Sequence, residues 1–168
     1  MIAKKWKKPL TRRGYNRLAE EHRQLLEDVR PGVVEGIATA AAEGDRSENA
    51  EYIYGKKRLR EIDKKLRYLT SLLKDAEVVD PEHYRSDVVD FGATIVIRDE
   101  NDVVKEWTLV GVGEAEVDEG TISFRSPVAM AFMGKKVGDF VDIHKPSGPM
   151  EYELVDLKYD GVAVGAKS

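Results

Sequence analysis

Apolar side chains in the first part of the chain recur at steps of three and four. Leu18, Leu25 or Leu26, Val29, Val33, Ile37 and Ala40 fall on one face of a helix, with His22 tolerated in the series. Thr11 is a good N-cap for this helix. Pro31 interrupts the run; it removes one backbone donor and is expected to bend the helix near its preceding turn. The pattern resumes at Tyr52, Gly55, Leu59, Ile62, Leu66, Leu69 and Leu73, whose spacing is that of a coiled-coil seam. Folding the chain at residue 46 sets Ile37 opposite Gly55, Val33 opposite Leu59, Val29 opposite Ile62, Leu25 opposite Leu66, His22 opposite Leu69 and Leu18 opposite Leu73. The numbers of each pair sum to 91 or 92, the condition for antiparallel alignment without slip. The first helix has roughly 33 residues, so each arm is about 50 Å long.

Past Asp80-Pro81, which marks a break, the pattern changes to β-branched runs. VVDFGATIVIRD and VVKEWTLVGV read as strands joined by a hairpin at Glu100-Asn101-Asp102, and TISF reads as a third strand. Ser126 is a good N-cap and Pro127 suits the first position of a short helix that Gly134 ends. GKKVGDFVDIHK and MEYELVDLKYD supply two more strands. The expected fold class is α+β: a long N-terminal antiparallel coiled-coil hairpin, then a small antiparallel sheet domain with one short helix. The expected boundaries are a basic N-terminal arm over 1–10, the hairpin over 11–76 with its tip at 44–48, a linker over 77–84, the sheet domain over 85–160 and a tail over 161–168.

Charge divides the chain at the same place. Residues 1–76 hold 18 Lys/Arg against 12 Asp/Glu, whereas residues 77–168 hold 9 against 19. The basic half suits a nucleic-acid partner. The acidic half suits a basic protein surface or solubility alone. There is no cysteine, so disulfides, thiolate zinc sites and cysteine nucleophiles are excluded. The chain has no apolar run near the ~20 residues of a membrane span. Its basic start lacks the apolar stretch of a signal peptide, and a cytoplasmic location is expected.

The candidate chemistry sits at the tip. In GDRSENAEY (44–52), Asp45 and Glu48 are two acids three positions apart. One reading is structural: Asp45 caps the second helix, Glu48 completes a capping box, and both favour the positive helix end. The other is chemical: two carboxylates within one turn reach one Mg2+, whose remaining ligands come from waters and a partner. A long arm that carries two acids to a remote place fits the second reading; a cap needs no arm. Behind the tip, KKRLREIDKKLR (56–67) holds seven basic residues and two acids. It is either a solvated face with partial i,i+4 pairing or a track for a nucleic-acid backbone. Tyr52 and Tyr54 beside the tip suit base stacking, although Tyr52 also lies on the seam.

GDRSENAEYIYGKKRLREID closely resembles the tip segment of bacterial Gre transcript-cleavage factors of the GreB type, and SPVAMAFMGKKVGD (126–139) resembles a C-terminal segment of that family. The resemblance runs from about Thr11 to Tyr159. It implies a coiled coil followed by an FKBP-like domain. It also implies insertion into the secondary channel of bacterial RNA polymerase, where the factor, acting as a monomer and not as an enzyme alone, stimulates cleavage of backtracked nascent RNA. On this resemblance Asp45 and Glu48 are the catalytic pair and hold an Mg2+ shared with the polymerase. Lys56, Lys57, Arg60, Lys64 and Arg67 guide the RNA 3′ end, and Arg125, Ser126 and Pro127 lie on the docking surface. Arg125 stands where the family commonly has an acid. The alternatives are a channel-binding inhibitor without cleavage activity, against which the intact acid pair argues, and a coiled-coil chaperone with a prolyl isomerase domain. Direct DNA binding ranks below both, because the acidic half would repel a duplex.

Overall fold

The computed structural model describes residues 6–44, 49–80 and 86–160 and the backbone of Val162–Ala163. The chain divides into two compact units, residues 16–74 and residues 1–15 with 75–168.

In the helical unit, α1 (Arg12–Arg23) leads through a π-helical turn (Gln24–Val29) into α2 (Arg30–Ala42), and α3 (Ala50–Leu73) returns. The π turn answers the expectation set by Pro31. The Arg30 N–H reaches back five residues to the Leu25 carbonyl, and Pro31, which has no N–H, stands at the start of α2. The helical ladder thus widens by one residue just before the missing donor. Every position of the expected stripes is withdrawn from solvent: Leu18, His22, Leu25, Val29, Val33, Ile37 and Ala40 on one side, and Tyr52, Gly55, Leu59, Ile62, Leu66, Leu69 and Leu73 on the other. Leu26 is exposed, which settles the choice between it and Leu25.

Cross-helix contacts fix an antiparallel register. A Cβ on Gly55 would lie 2.7 Å from Ile37 Cγ1. The Arg30 guanidinium donates to Asp63 at 2.9 Å, and His22 Nε2 lies 3.2 Å from Thr70 Oγ1. Arg30 holds the Asp63 carboxyl below the ordinary carboxylate range, first through that hydrogen bond and then through its charge, aided by Arg67; partial burial works against it. The pairing therefore contributes fully at neutral pH and is lost as pH falls through the lowered Asp63 value.

The second unit is built on a sheet of order β5-β4-β3-β7-β6, from β3 (Ala93–Asp99), β4 (Val104–Val110), β5 (Thr121–Ser123), β6 (Phe140–Lys145) and β7 (Gly148–Tyr159), with β8 (Val162–Ala163) beside β7. The sheet is mixed, not antiparallel as expected: β4 and β5 run parallel. The ten residues between them, including a 3-10 turn at Val117–Glu119, carry the chain back so that β5 starts beside Thr108 and runs along the last three residues of β4. A hairpin would have reversed it. A bulge where Val96 pairs with Asp156 and Ile97 with Leu154 adds a residue to β7 and bends the long strand. The short helix α4 (Pro127–Phe132) buries Ala129 and Phe132. Ile95, Leu109, Leu154, Leu157 and Tyr159 fill the rest of the core.

The first expected strand is shorter than the run 88–99. Val88 to Gly92 are buried but not extended into the sheet, because their backbone partners lie elsewhere. The Val89 N–H donates to Lys135 O, the Gly92 N–H to Leu109 O, and Gly92 has φ +86°. Two further strands had no sequence signal. Here β1 (Pro9–Thr11) and β2 (Glu77–Val79) pair in parallel, so residues assigned to the arm and to the linker form one small sheet. Trp6, expected in the basic arm, is instead part of the core. Its ring lies 5.5 Å from that of Phe91, and its Nε1–H donates to buried Asp90 at 2.9 Å.

Glu114 holds the start of α1. Its Oε2 accepts from the N–H groups of Thr11 (2.9 Å) and Gly111 (2.8 Å), and its Oε1 accepts from the Thr11 hydroxyl. Side chains at Gly14 and Gly111 would collide with this carboxylate, which accounts for both glycines. Replacing Glu114 with Ala strands two backbone donors in the interior. It is expected to cost about 1–3 kcal/mol for each, read by chemical denaturation. Glu114→Gln is expected to recover most of the loss, because its amide oxygen still accepts.

Candidate functional site

The tip is organised by Asn49. Its φ of −82° and ψ of 104° are extended, and its Oδ1 accepts from the Tyr52 N–H at 3.1 Å, which makes Asn49 the N-cap of α3. Its Nδ2 donates to the Ala40 carbonyl at 2.6 Å. The capping box expected from Asp45 and Glu48 is thereby corrected: the helix begins at Ala50, and Asn49 caps it. Asp and Asn are about equally good caps, so composition does not choose between them. Only Asn adds the donor that Ala40 accepts. Asp45 and Glu48 themselves lie outside the described residues, between the end of α2 and this cap. Their donor chemistry, two hard carboxylate oxygen groups, fits Mg2+. Among the described residues no group of three or more acids and histidines is placed to hold a metal ion.

The five basic residues expected to guide nucleic acid, Lys56, Lys57, Arg60, Lys64 and Arg67, are all exposed. At about 100° per residue they occupy an arc of about 100° on α3, turned away from its buried seam of Ile62, Leu66 and Leu69. Among the described residues Lys56, Lys57, Arg60 and Lys64 make no ion pair, although Glu61 lies four positions after Lys57. Lys65, off this arc, reaches Glu21 at 3.5 Å. The expected i,i+4 neutralisation of the stripe is therefore absent there, and its positive charge faces solvent. Lys56 Nζ sits 5.8 Å from the centre of the Tyr52 ring, while Tyr54 is 70% exposed. Half-buried Tyr52 packs on the seam, and exposed Tyr54 is the one of the pair placed for stacking.

The three residues expected at the docking surface sit together. Ser126 Oγ accepts from the Ala129 N–H at 3.4 Å, and Pro127 opens α4. The exposed Arg125 guanidinium lies 4.9 Å from the centre of the Phe124 ring and donates to the Trp6 carbonyl at 3.4 Å. Phe124 meets Phe91 edge-on at 5.4 Å. Arg125 is thus tied to the aromatic core as well as being exposed, a role that no local sequence signal announces. Met130 on the same short helix is 63% exposed, and sequence reasoning missed it. Its signal was available: α4 buries Ala129 and Phe132, which leaves Met130 on the opposite side.

Two family models match the chain. The model described as transcription elongation factor, N-terminal, matches residues 8–78, and that described as transcription elongation factor, GreA/GreB, C-term, matches residues 84–159. Among curated relatives, transcription elongation factor GreB of Yersinia pestis is 42% identical over 150 residues, covering 89% of this chain and 88% of that protein. GreB of Pasteurella multocida is 44% identical over 151 residues, covering 90% of this chain and 96% of that one. Transcription elongation factor GreA of Chelativorans sp. is 41% identical over 154 residues, covering 91% and 98%.

Proposed function

The chain belongs to the GreA/GreB family of transcription elongation factors, and on that premise we propose that it inserts its helical hairpin into the secondary channel of bacterial RNA polymerase and stimulates cleavage of backtracked nascent RNA. The GreB type is favoured by the tip segment and by the basic stripe behind it, of which Lys56, Lys57, Arg60 and Lys64 make no ion pair among the described residues. In this reading the hairpin acts as a coiled coil. The second unit, taken as FKBP-like, docks at the channel rim through Arg125, Ser126 and Pro127. The protein works as a cytoplasmic monomer and has no activity without the polymerase.

The observation that carries the chemical part is the cap. Because Asn49 is the N-cap of α3 and its Oδ1 takes the Tyr52 N–H, Asp45 and Glu48 are not needed as its N-cap. Two acids without that task, at the end of a long arm, suit completion of another protein's metal site. Asp45 and Glu48 would hold their side of an Mg2+ site completed by the polymerase and would orient the attacking water; the ion would supply a water of lowered pKa and offset charge on the scissile phosphodiester. The stripe from Lys56 to Arg67 neutralises phosphates of the extruded RNA. The decisive experiment incubates the full chain with a backtracked elongation complex and labelled RNA. The proposal expects fast release of short 3′ fragments with polymerase, factor and magnesium all present, slow release without the factor, and none from the factor without polymerase. Binding without cleavage would indicate the inhibitor instead.

The stripe supports a further expectation. Lys56, Lys57 and Arg60 changed together to Gln should weaken cleavage most in deeply backtracked complexes, which extrude more RNA. The deficit should shrink as salt rises, because screening already weakens phosphate contacts in the parent. Equal loss at every depth would rule out RNA guidance by this face.

A further inference from the structure

Asn49 uses both ends of its carboxamide. Oδ1 takes the Tyr52 N–H in the first turn of α3, and Nδ2 gives a hydrogen bond to the carbonyl of Ala40, in the last turn of α2. Tyr52 N can only donate and Ala40 O can only accept, so the orientation of the amide is fixed by its partners. Ala40 is 2% exposed, so this bridge is anchored in the packed end of the helical pair. One side chain thus ties the two helices together across residues 43–48. Ser and Asp cap helices about as well as Asn does, but neither carries an amide donor beside its acceptor.

We propose that Asn49 is a positioning residue for the tip carboxylates. By clamping the last turn of α2 to the first turn of α3, it sets the two helix ends between which Asp45 and Glu48 fall in the sequence, and it acts without touching metal or RNA. The proposal rests on the transcript-cleavage reading. It predicts a separation of capping from bridging. Asp at position 49 keeps the cap but sets a carboxylate against the Ala40 carbonyl; Ser keeps an acceptor for the cap and is too short to reach across.

The test uses full-length Asn49→Asp and Asn49→Ser on backtracked complexes, with Asp45→Asn measured beside them. Both position-49 variants are expected to melt near the parent and to half-saturate polymerase at the same concentration. Their maximal cleavage should fall about 10- to 100-fold, the scale set by misplacing a reacting group by about 1 Å. Their half-maximal magnesium concentration should rise, with Asp affected more than Ser. Parental cleavage by Asn49→Asp at saturating factor and parental magnesium would overturn the proposal. So would losses of melting temperature, binding and cleavage in proportion, which would mark Asn49 as a fold residue alone. The control separates the two levels. If Asp45→Asn cleaves normally, the reading of the acids as ligands fails. If Asp45→Asn is inactive while Asn49→Asp is normal, positioning by Asn49 alone fails.

Discussion

Replacing Asp45 with Asn, or Glu48 with Gln, is expected to remove most cleavage stimulation while leaving the protein folded and bound to polymerase. A neutral amide is a far poorer Mg2+ ligand than a carboxylate, and loss of groups that merely support metal ligands already costs about 10- to 100-fold. Loss of a direct ligand should therefore reach at least about 100-fold in maximal cleavage. Excess magnesium should recover part of it if the defect is weakened metal binding. The fold should hardly respond. A lost favourable interaction of each charge with the start of α3 is worth about 0.3–1 kcal/mol. Because Asn49 is the cap, even Asp45→Ala should stay within that range, and the ~0.5–2 kcal/mol of a lost N-cap should appear in Asn49→Ala instead. Cleavage unchanged in the two amide variants would leave the acids with no chemical role.

What could be read from the sequence follows the range of the signal. The seam was legible because period-three and period-four burial repeats over many turns, and two such stripes constrain each other. The choice of Leu25 or Leu26 was not, because each fits one local step; packing decided it. The tip was legible as a pair of acids, but its cap was expected at Asp45; Asn49 holds it instead, and its second hydrogen bond goes to the Ala40 carbonyl, which belongs to the other helix. The parallel pairing of Pro9–Thr11 with Glu77–Val79 joins two three-residue strands far apart in the chain, too short to show periodicity. Buried Asp90 and Glu114 were invisible for a related reason. Acids are normally exposed, and what makes these two tolerable includes the donors of Trp6 and Thr11, supplied from far away in the chain.

That same long-range closure sets the second large effect. Trp6→Ala is expected to destabilise the sheet unit by about 3–5 kcal/mol, the usual cost of deleting a large aromatic from a core. The indole is 9% exposed, lies against Phe91, and donates to buried Asp90, which loses that donor in the variant. Trp6→Phe should fall between parent and Ala, since it keeps an aromatic ring in the core but loses the donor. Trp107 remains in β4 of the same unit, so its fluorescence can follow unfolding in both variants. A fragment beginning at residue 80 should behave worse than Trp6→Ala. It lacks Trp6, both short parallel strands, and Arg12, whose guanidinium meets Asp80 at 2.7 Å. Such a fragment should compete poorly for polymerase because it is unfolded, even if the docking residues are correctly assigned. A Trp6→Ala protein that melts with the parent would restore residues 1–10 as a separate basic arm and residues 77–84 as a simple linker. The buried indole and its hydrogen bond to Asp90 argue for the opposite outcome: Trp6 is part of the core of the sheet unit.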